Sequence, residues 1–113
     1  MARKGERSDH HEAFWDVAEP FLGRGELVEG TMMGHQCLRS AAGGFVATVE
    51  RESGALVVKL PTQRVDALIE SGDGQPFAPA GKVFREWVAV PSFDEGQWSK
   101  LLHESLTFVN GEG

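Results

Sequence analysis

Disulfide bonds, membrane spans and a basic surface are features that this sequence lacks. Its single cysteine, Cys37, rules out an internal disulfide framework and indicates a reducing compartment. No apolar run approaches the roughly 20 residues that cross a bilayer. The basic residues near the N-terminus precede no apolar segment of a secretory signal. We therefore expect a cytoplasmic protein without a membrane partner.

The chain also lacks a surplus of basic residues. It has 11 Lys and Arg against 17 Asp and Glu, which gives a formal net charge of −6. Because nucleic-acid binders usually carry a basic face, nucleic acid is the less favoured class of partner. Folding can still gather scattered basic residues into a local patch, and the candidates are Arg39, Arg51, Lys59, Lys82 and Arg85. Such a patch would favour nucleic acid.

Residues 27–60 contain four consecutive segments with the pattern of β-strands. Residues 45–50 alternate between the two faces with the two-residue period of a strand. Residues 55–60 are apolar on both faces for most of their length, which predicts a central strand. Gly54 suits a hairpin turn between these two strands, and the segments at 27–33 and 36–39 are weaker. The short connections permit only antiparallel pairing.

A helix is predicted before these strands. Apolar residues recur at helical spacing from Phe14 to Leu22, and Asp9 can cap the helix that they predict. Pro20 lacks a backbone donor, so we expect the helix to end near Glu19 or to kink there. Residues 1–8 are small and charged and are predicted to form a disordered tail.

Two more helices and one more strand are predicted after residue 60. Thr62 can cap a short helix that Gly72 ends. Residues 71–82 are predicted to be irregular and residues 84–90 to form the last strand. The third helix has the clearest amphipathic pattern, with two candidate caps: Ser92 with Glu95, and Asp94 with Gln97.

This order of elements predicts a fold class. Helix, four strands, helix, strand and helix follow one another, with helices at both ends of the chain and an antiparallel sheet between them. Elements in this order favour an α+β fold, a two-layer sandwich. One such domain at residues 9–113 accounts for the chain after its tail.

Motifs for catalysis and metal binding are incomplete. The segment from His11 to Trp15 begins like HExxH, but tryptophan replaces the second histidine. His35 and Cys37 share one face of a strand, yet a tetrahedral zinc site needs four ligands, or three and water. No nucleophile elbow, phosphate-binding loop or dinucleotide fingerprint occurs. We therefore predict a protein that is not an enzyme, with no catalytic residue, metal or cofactor.

Trp87 marks the candidate partner surface. If Val88 and Val90 face the helices, Trp87 faces the other side of the sheet, which a two-layer fold leaves open. The apolar patch predicted there consists of Trp87, Val46 and either Met32 or Met33. Exposed apolar patches usually mark partner surfaces. The alternative is that Trp87 packs beneath the loop of residues 73–83.

The strand region and the loop after it resemble the N-terminal domain of the TfoX/Sxy competence regulators. The residues that carry the resemblance are Met33-Gly34, Cys37-Leu38, Phe45-Val46-Ala47, Gly54, Leu56 to Lys59, Pro76-Phe77, Pro79, Gly81-Lys82, Trp87 and Val90-Pro91. Residues 56–68 are equally similar to the YjbR/MmcQ family. The chain departs from the TfoX pattern at His35, where a second glycine is usual, and it has no tyrosine.

This resemblance implies a secretion-chaperone-like α+β fold and supplies no catalytic residue. It implies a non-enzymatic binding or regulatory module, the first expectation for function. Small acidic secretion chaperones of similar fold bind proteins as dimers, so a dimeric chaperone-like binder with an unknown protein partner is the alternative. A regulator that binds nucleic acid directly is a further alternative.

Overall fold

The computed structural model describes residues 11–32, 35–78 and 81–111, which form three helices and a six-stranded sheet. The helices are α1 (Glu12–Gly23), α2 (Thr62–Ser71) and α3 (Glu95–Val109). The strands are β1 (Leu27–Met32), β2 (His35–Ser40), β3 (Phe45–Val49), β4 (Leu56–Lys59), β5 (Gln75–Pro76) and β6 (Trp87–Val90). The sheet is antiparallel throughout, in the order β1-β2-β3-β4-β6-β5. The predicted α+β class is confirmed.

The hairpin of β3 and β4 forms the middle of the sheet. β4 lies between β3 and β6, and its neighbouring residues Val57 and Val58 are both buried although they point to opposite faces. Gly54 has a φ of 77° in the connecting turn, a conformation that favours glycine. The turn is closed by a 2.8 Å hydrogen bond from Glu50 N to Ala55 O. The predicted central position of this strand is confirmed.

All three helices pack on one face of the sheet, here called the helix face. Buried side chains of α1, α2 and α3, among them Phe14, Leu68 and Leu102, share one apolar cluster with Leu38 and Val58 of the sheet. α3 contacts β3 and β4, whereas α1 contacts β1 and α2 contacts β5 and β6. The apolar stripe of each helix is buried because it meets this shared surface.

α1 continues through Pro20 to Gly23, so the first of the two outcomes predicted at Pro20, an end near Glu19, is wrong, and the second, a kink, stays a prediction. Proline in a helix costs about 3 kcal/mol, whereas burying one large apolar side chain stabilises by about 1.5–3 kcal/mol. Val17 and Phe21 on either side of Pro20 are both buried, which offsets the cost. The predicted cap Asp9 and the predicted tail at residues 1–8 lie outside the described residues.

The segment after α2 contains a short strand where an irregular loop was predicted. β5 has two residues, and Pro76 pairs with Val88 of β6 at the sheet edge. The last strand begins at Trp87 and not at residue 84, because the three preceding residues form a turn. Trp87 N donates to Phe84 O at 3.1 Å, and Leu60 N donates to Glu86 O at 2.9 Å.

Among the ends of α2 and α3, the start of α2 differs from the prediction. Its cap residue is Pro61, which has no side-chain cap hydrogen bond, so Thr62 is the first helical residue and not the cap. Gly72 ends α2 in the left-handed conformation, with a φ of 89°. Asp94 caps α3 by accepting a 2.9 Å hydrogen bond from Gln97 N. In the described part of the chain, no helix has both the length and the apolar character needed to cross a membrane.

Candidate partner-binding surface

The sheet face turned away from the helices is here called the second face. Its central row consists of Cys37, Thr48, Val57 and Ala89, which are paired across neighbouring strands. Cys37 and Val57 have no exposed surface, and Thr48 is also buried. The prediction that the face is open is therefore wrong at its centre.

Val46 is fully buried and belongs to the cluster of the helix face, so its predicted place on an open face is wrong. The reason is a β-bulge: Leu38 pairs with Ala47, whereas the next residue, Arg39, pairs with Phe45. Val46 is the extra residue, and a bulge breaks the strict alternation of side chains. Phe45 lies half-buried on the second face, with the Arg39 guanidinium carbon 4.5 Å from its ring centre.

The methionine part of the predicted patch is not tested. Met32 pairs with His35 at the end of β1, and the structure describes the backbone of Met32 but not its side chain. Met33 lies outside the described residues. Of the four predicted patch residues, Trp87 is therefore the one around which a surface can be described.

Trp87, the first residue of β6, is half-buried in a group of aromatic rings. The ring centres of Phe77 and Trp87 are 6.3 Å apart, and those of Phe77 and Phe84 are 6.0 Å apart. The exposed fractions are 41% for Phe84 and 57% for Val83. Trp87 thus packs against the loop, as the alternative prediction had it, while the loop exposes apolar groups. We call Phe77, Val83, Phe84 and Trp87 the aromatic surface.

The sequence interpretation missed Val83 and Phe84. It placed Phe84 in the last strand, because the apolar residues from Phe84 to Val90 suggested one continuous strand. The signal that could have found them is the preceding Gly81, which has a φ of 84°. Glycine is typical of turns, so Gly81 could have indicated that the apolar residues directly after it lie in a loop and not in the strand.

Two clefts adjoin the aromatic surface and share Phe84, Arg85 and Trp87 in their walls. The polar cleft, of about 370 Å³, is completed by Lys59, Thr62 and Glu86. The apolar cleft, of about 220 Å³, is completed by Val65, Asp66, Ile69, Pro76 and Val83. A ligand that spans the shared wall would meet cations on one side and aliphatic groups on the other.

The polar cleft contains two cations that have no ionic partner among the described residues. Neither Lys59 nor Arg85 makes an ion pair or a side-chain hydrogen bond to any described residue, whereas Arg64 is paired with Glu104 at 2.9 Å. Glu86 lines the same cleft, so two positive charges face one negative charge. The first residue of α2, Thr62, also lies there, and a helix N-terminus adds positive potential. The electrostatics of the polar cleft favour an anionic group.

The five scattered basic residues lie in the polar cleft, in the loop beside it, on the second face and in the β3–β4 turn. Lys59 and Arg85 line the same cleft, and Lys82 lies in the loop beside them. Arg39 lies over Phe45 instead, and Arg51 belongs to the turn between β3 and β4. Lys59 and Arg85 are therefore the two of the five that share a described cleft.

Two larger hollows, of about 560 and 480 Å³, flank the C-terminal half of α3. They share His103 and Thr107 in their walls. The arginine of the second hollow, Arg64, is already neutralised by Glu104. Size alone therefore does not make them better candidates than the smaller clefts, where two cations with no ionic partner in the described part of the chain lie beside exposed aromatic rings.

Of the predicted ligand pair His35 and Cys37, the structure describes the side chain of Cys37 alone. Burial raises the pKa of the Cys37 thiol, and the nearby positive charge of Arg39 opposes this without cancelling it. The buried thiol is therefore protonated at neutral pH and is a poor nucleophile. The side chain of His35 is not described. Within residues 11–32, 35–78 and 81–111, no three His, Cys, Asp or Glu side chains are grouped to hold a metal ion.

Comparison with known proteins adds no relative: no protein-family model, curated protein or solved structure matches the chain. The resemblance to the TfoX/Sxy and YjbR/MmcQ families therefore stays a prediction from the residues that carry it.

Proposed function

We propose that the protein is a non-enzymatic binding module that holds a segment of another protein on the aromatic surface. The observation that carries the proposal is the exposure of Val83 and Phe84 beside half-buried Trp87. Protein interfaces are enriched in aromatic residues and arginine, and tryptophan and arginine are the commonest residues of high binding energy. Arg85 borders the same rings.

The scaffold holds this surface in place before a partner arrives. Trp87 pairs with Lys59 of β4, and its backbone N–H donates a hydrogen bond to Phe84 O. Phe84 N donates in turn to Phe77 O at 3.0 Å, which closes the loop on itself. A surface that is already ordered loses less conformational entropy on binding, so more of the contact energy appears as affinity.

A peptide selection tests the proposal. Short random peptides displayed on phage are selected on the immobilised protein, and the enriched peptides are synthesised and titrated by fluorescence anisotropy. Phe84→Ala should weaken their binding by about tenfold or more, because truncating a central aromatic contact typically removes at least about 1.4–2 kcal/mol. Circular dichroism establishes that the variant is folded.

Phe93→Ala is the matched control. Phe93 is also an exposed phenylalanine, but it packs edge-on against Trp98 of α3, away from the aromatic surface. Its truncation should change peptide affinity by less than about twofold. The proposal is overturned if no peptide is enriched, or if Phe84→Ala binds like the unchanged protein. It is also overturned if the protein dimerises in sedimentation and Phe84→Ala abolishes the dimer.

A further inference from the structure

We infer that the partner segment is acidic as well as apolar, with a carboxylate in the polar cleft and an aliphatic or aromatic side chain in the apolar cleft. This inference rests on the proposed function and names the chemistry of its partner. The two clefts share the wall formed by Phe84, Arg85 and Trp87, so neighbouring groups of one bound peptide can reach both.

Charge complementarity identifies the anionic group. The chain has six more acidic than basic side chains, yet Lys59 and Arg85 remain unpaired within the described structure. Lys59 is half-buried, which weakens its hydration and strengthens its attraction for a carboxylate that reaches it. Arg85 can bind a carboxylate through two parallel hydrogen bonds.

The apolar cleft favours a peptide over nucleic acid. Val65 is buried in its wall and Ile69 is half-buried there, and both lie on α2 facing Pro76 and Val83. An aliphatic side chain of a peptide gains energy by leaving water in such a cleft, whereas nucleic acid offers phosphates and bases. A polyanion would also meet Asp66 and Glu86 at the two cleft walls. One or two carboxylates near an apolar side chain fit both clefts.

Three fluorescein-labelled peptides test the inference on the full chain. They are one peptide enriched in the selection and two copies whose acidic residues are replaced by Gln or by Lys. The acidic peptide should bind about tenfold more tightly than the Gln copy, and the difference should shrink as salt is raised. Arg85→Glu should reverse the order, so that the Lys copy binds more tightly than the acidic peptide.

Lys100→Glu is the matched control, because it changes the net charge by the same amount at an exposed position of α3 that lines neither cleft. It should leave the order of the three peptides unchanged. Equal affinities for all three peptides, still lost in Phe84→Ala, would overturn this inference and leave the proposed function standing. Binding of none would overturn both. Tighter binding of oligothymidylate than of the acidic peptide, lost in Arg85→Glu, would overturn the peptide assignment in favour of nucleic acid.

Discussion

Ser105 Oγ donates a hydrogen bond to the backbone oxygen of Val46, 3.2 Å away in the buried interior. Val46 is the extra residue of the β3 bulge, and the extra residue of a bulge is left out of the regular pairing of the sheet. α3 adds a side-chain hydrogen bond to its carbonyl. The contact joins the longest helix to the irregular point of β3, and it explains why a serine lies in the buried stripe of α3.

Replacing Ser105 with alanine should therefore destabilise the protein. Ser105→Ala removes this buried hydrogen bond, so we expect the free energy of unfolding to fall by about 0.5–1.5 kcal/mol. Urea unfolding followed by tryptophan fluorescence measures the change. Ser99→Ala, the same substitution at a half-buried position of α3 with no hydrogen bond from its side chain to a described residue, should change stability by less than about 0.5 kcal/mol. An equal loss of stability in the two variants would show that the hydrogen bond from Ser105 does not stabilise the bulge.

The cap of α3 gives a second prediction. Asp94→Ala removes the 2.9 Å hydrogen bond to Gln97 N and should lower the free energy of unfolding by about 1 kcal/mol. Ser92→Ala is the control, because Ser92 contacts the helix through its backbone oxygen, which accepts from Trp98 Nε1 at 3.1 Å. Thermal unfolding should give a lower midpoint for Asp94→Ala alone. A similar loss in both variants would contradict the cap assignment.

Much of the fold could be predicted because the spacing of apolar residues along a helix or strand indicates which of its sides is buried. The apolar stripe of α3 and the two-sided apolar character of β4 follow from local sequence and are confirmed. Pro20 misled the interpretation of α1, because its local cost is offset by the burial of Phe21 against other elements. That offset depends on tertiary packing, which a single sequence does not display.

The candidate surface was only partly predictable. Trp87 could be assigned to the second face from alternation in β6, where Val88 and Val90 are buried. Val46 could not be placed, since the bulge that moves it to the helix face depends on pairing with Leu38 and Arg39 of another strand. The cleft between Lys59 and Arg85 likewise arises from the pairing of β4 with β6. The spacing of residues in a single sequence shows neither the pairing of β2 with β3 nor that of β4 with β6.

The close approach of α2 to β6 gives a third prediction. A Cβ at Gly74 would lie 2.7 Å from Val88 Cγ2 and 3.1 Å from Leu68 Cβ. Gly74→Ala should therefore lower the free energy of unfolding by about 1–3 kcal/mol through overpacking. Gly23→Ala, in the last turn of α1 with nothing within 4 Å of the added Cβ, should leave stability unchanged or raise it by up to about 1 kcal/mol. Chemical unfolding in which both variants behaved alike would contradict the packing argument.

The thiol of Cys37 should be inert in the folded protein. It is buried, and burial raises its pKa above the value in the unfolded chain. The unfolded chain therefore ionises first as pH rises, and this thiol's contribution to stability falls above the unfolded pKa. A thiol reagent should label the protein slowly without denaturant and rapidly in urea, and the chain has no other cysteine to confuse the signal. Rapid labelling of the folded state would contradict the described burial.

Glu50 should make the β3–β4 turn sensitive to acid. Its carboxylate accepts hydrogen bonds from Ser53 N at 2.7 Å and Glu52 N at 3.1 Å. The bond from the Ser53 backbone is the largest cause that lowers the pKa of Glu50. A lowered pKa means that the folded state favours the ionised form, so the stabilisation is present above the unfolded pKa and is lost as pH falls through the folded pKa.

The test compares Glu50→Gln with the unchanged protein at neutral pH and at about pH 2. The variant should be less stable at neutral pH, because an uncharged amide oxygen accepts the two turn hydrogen bonds more weakly. The difference should shrink as pH falls through the folded pKa of Glu50, because protonation removes the charge that strengthens the two hydrogen bonds. Glu52→Gln removes the same charge from the same turn, but the turn uses the Glu52 backbone N–H and not its carboxylate. A stability difference for Glu50→Gln that persisted in acid, or that Glu52→Gln reproduced, would mean that net charge and not the Ser53 hydrogen bond stabilises the turn.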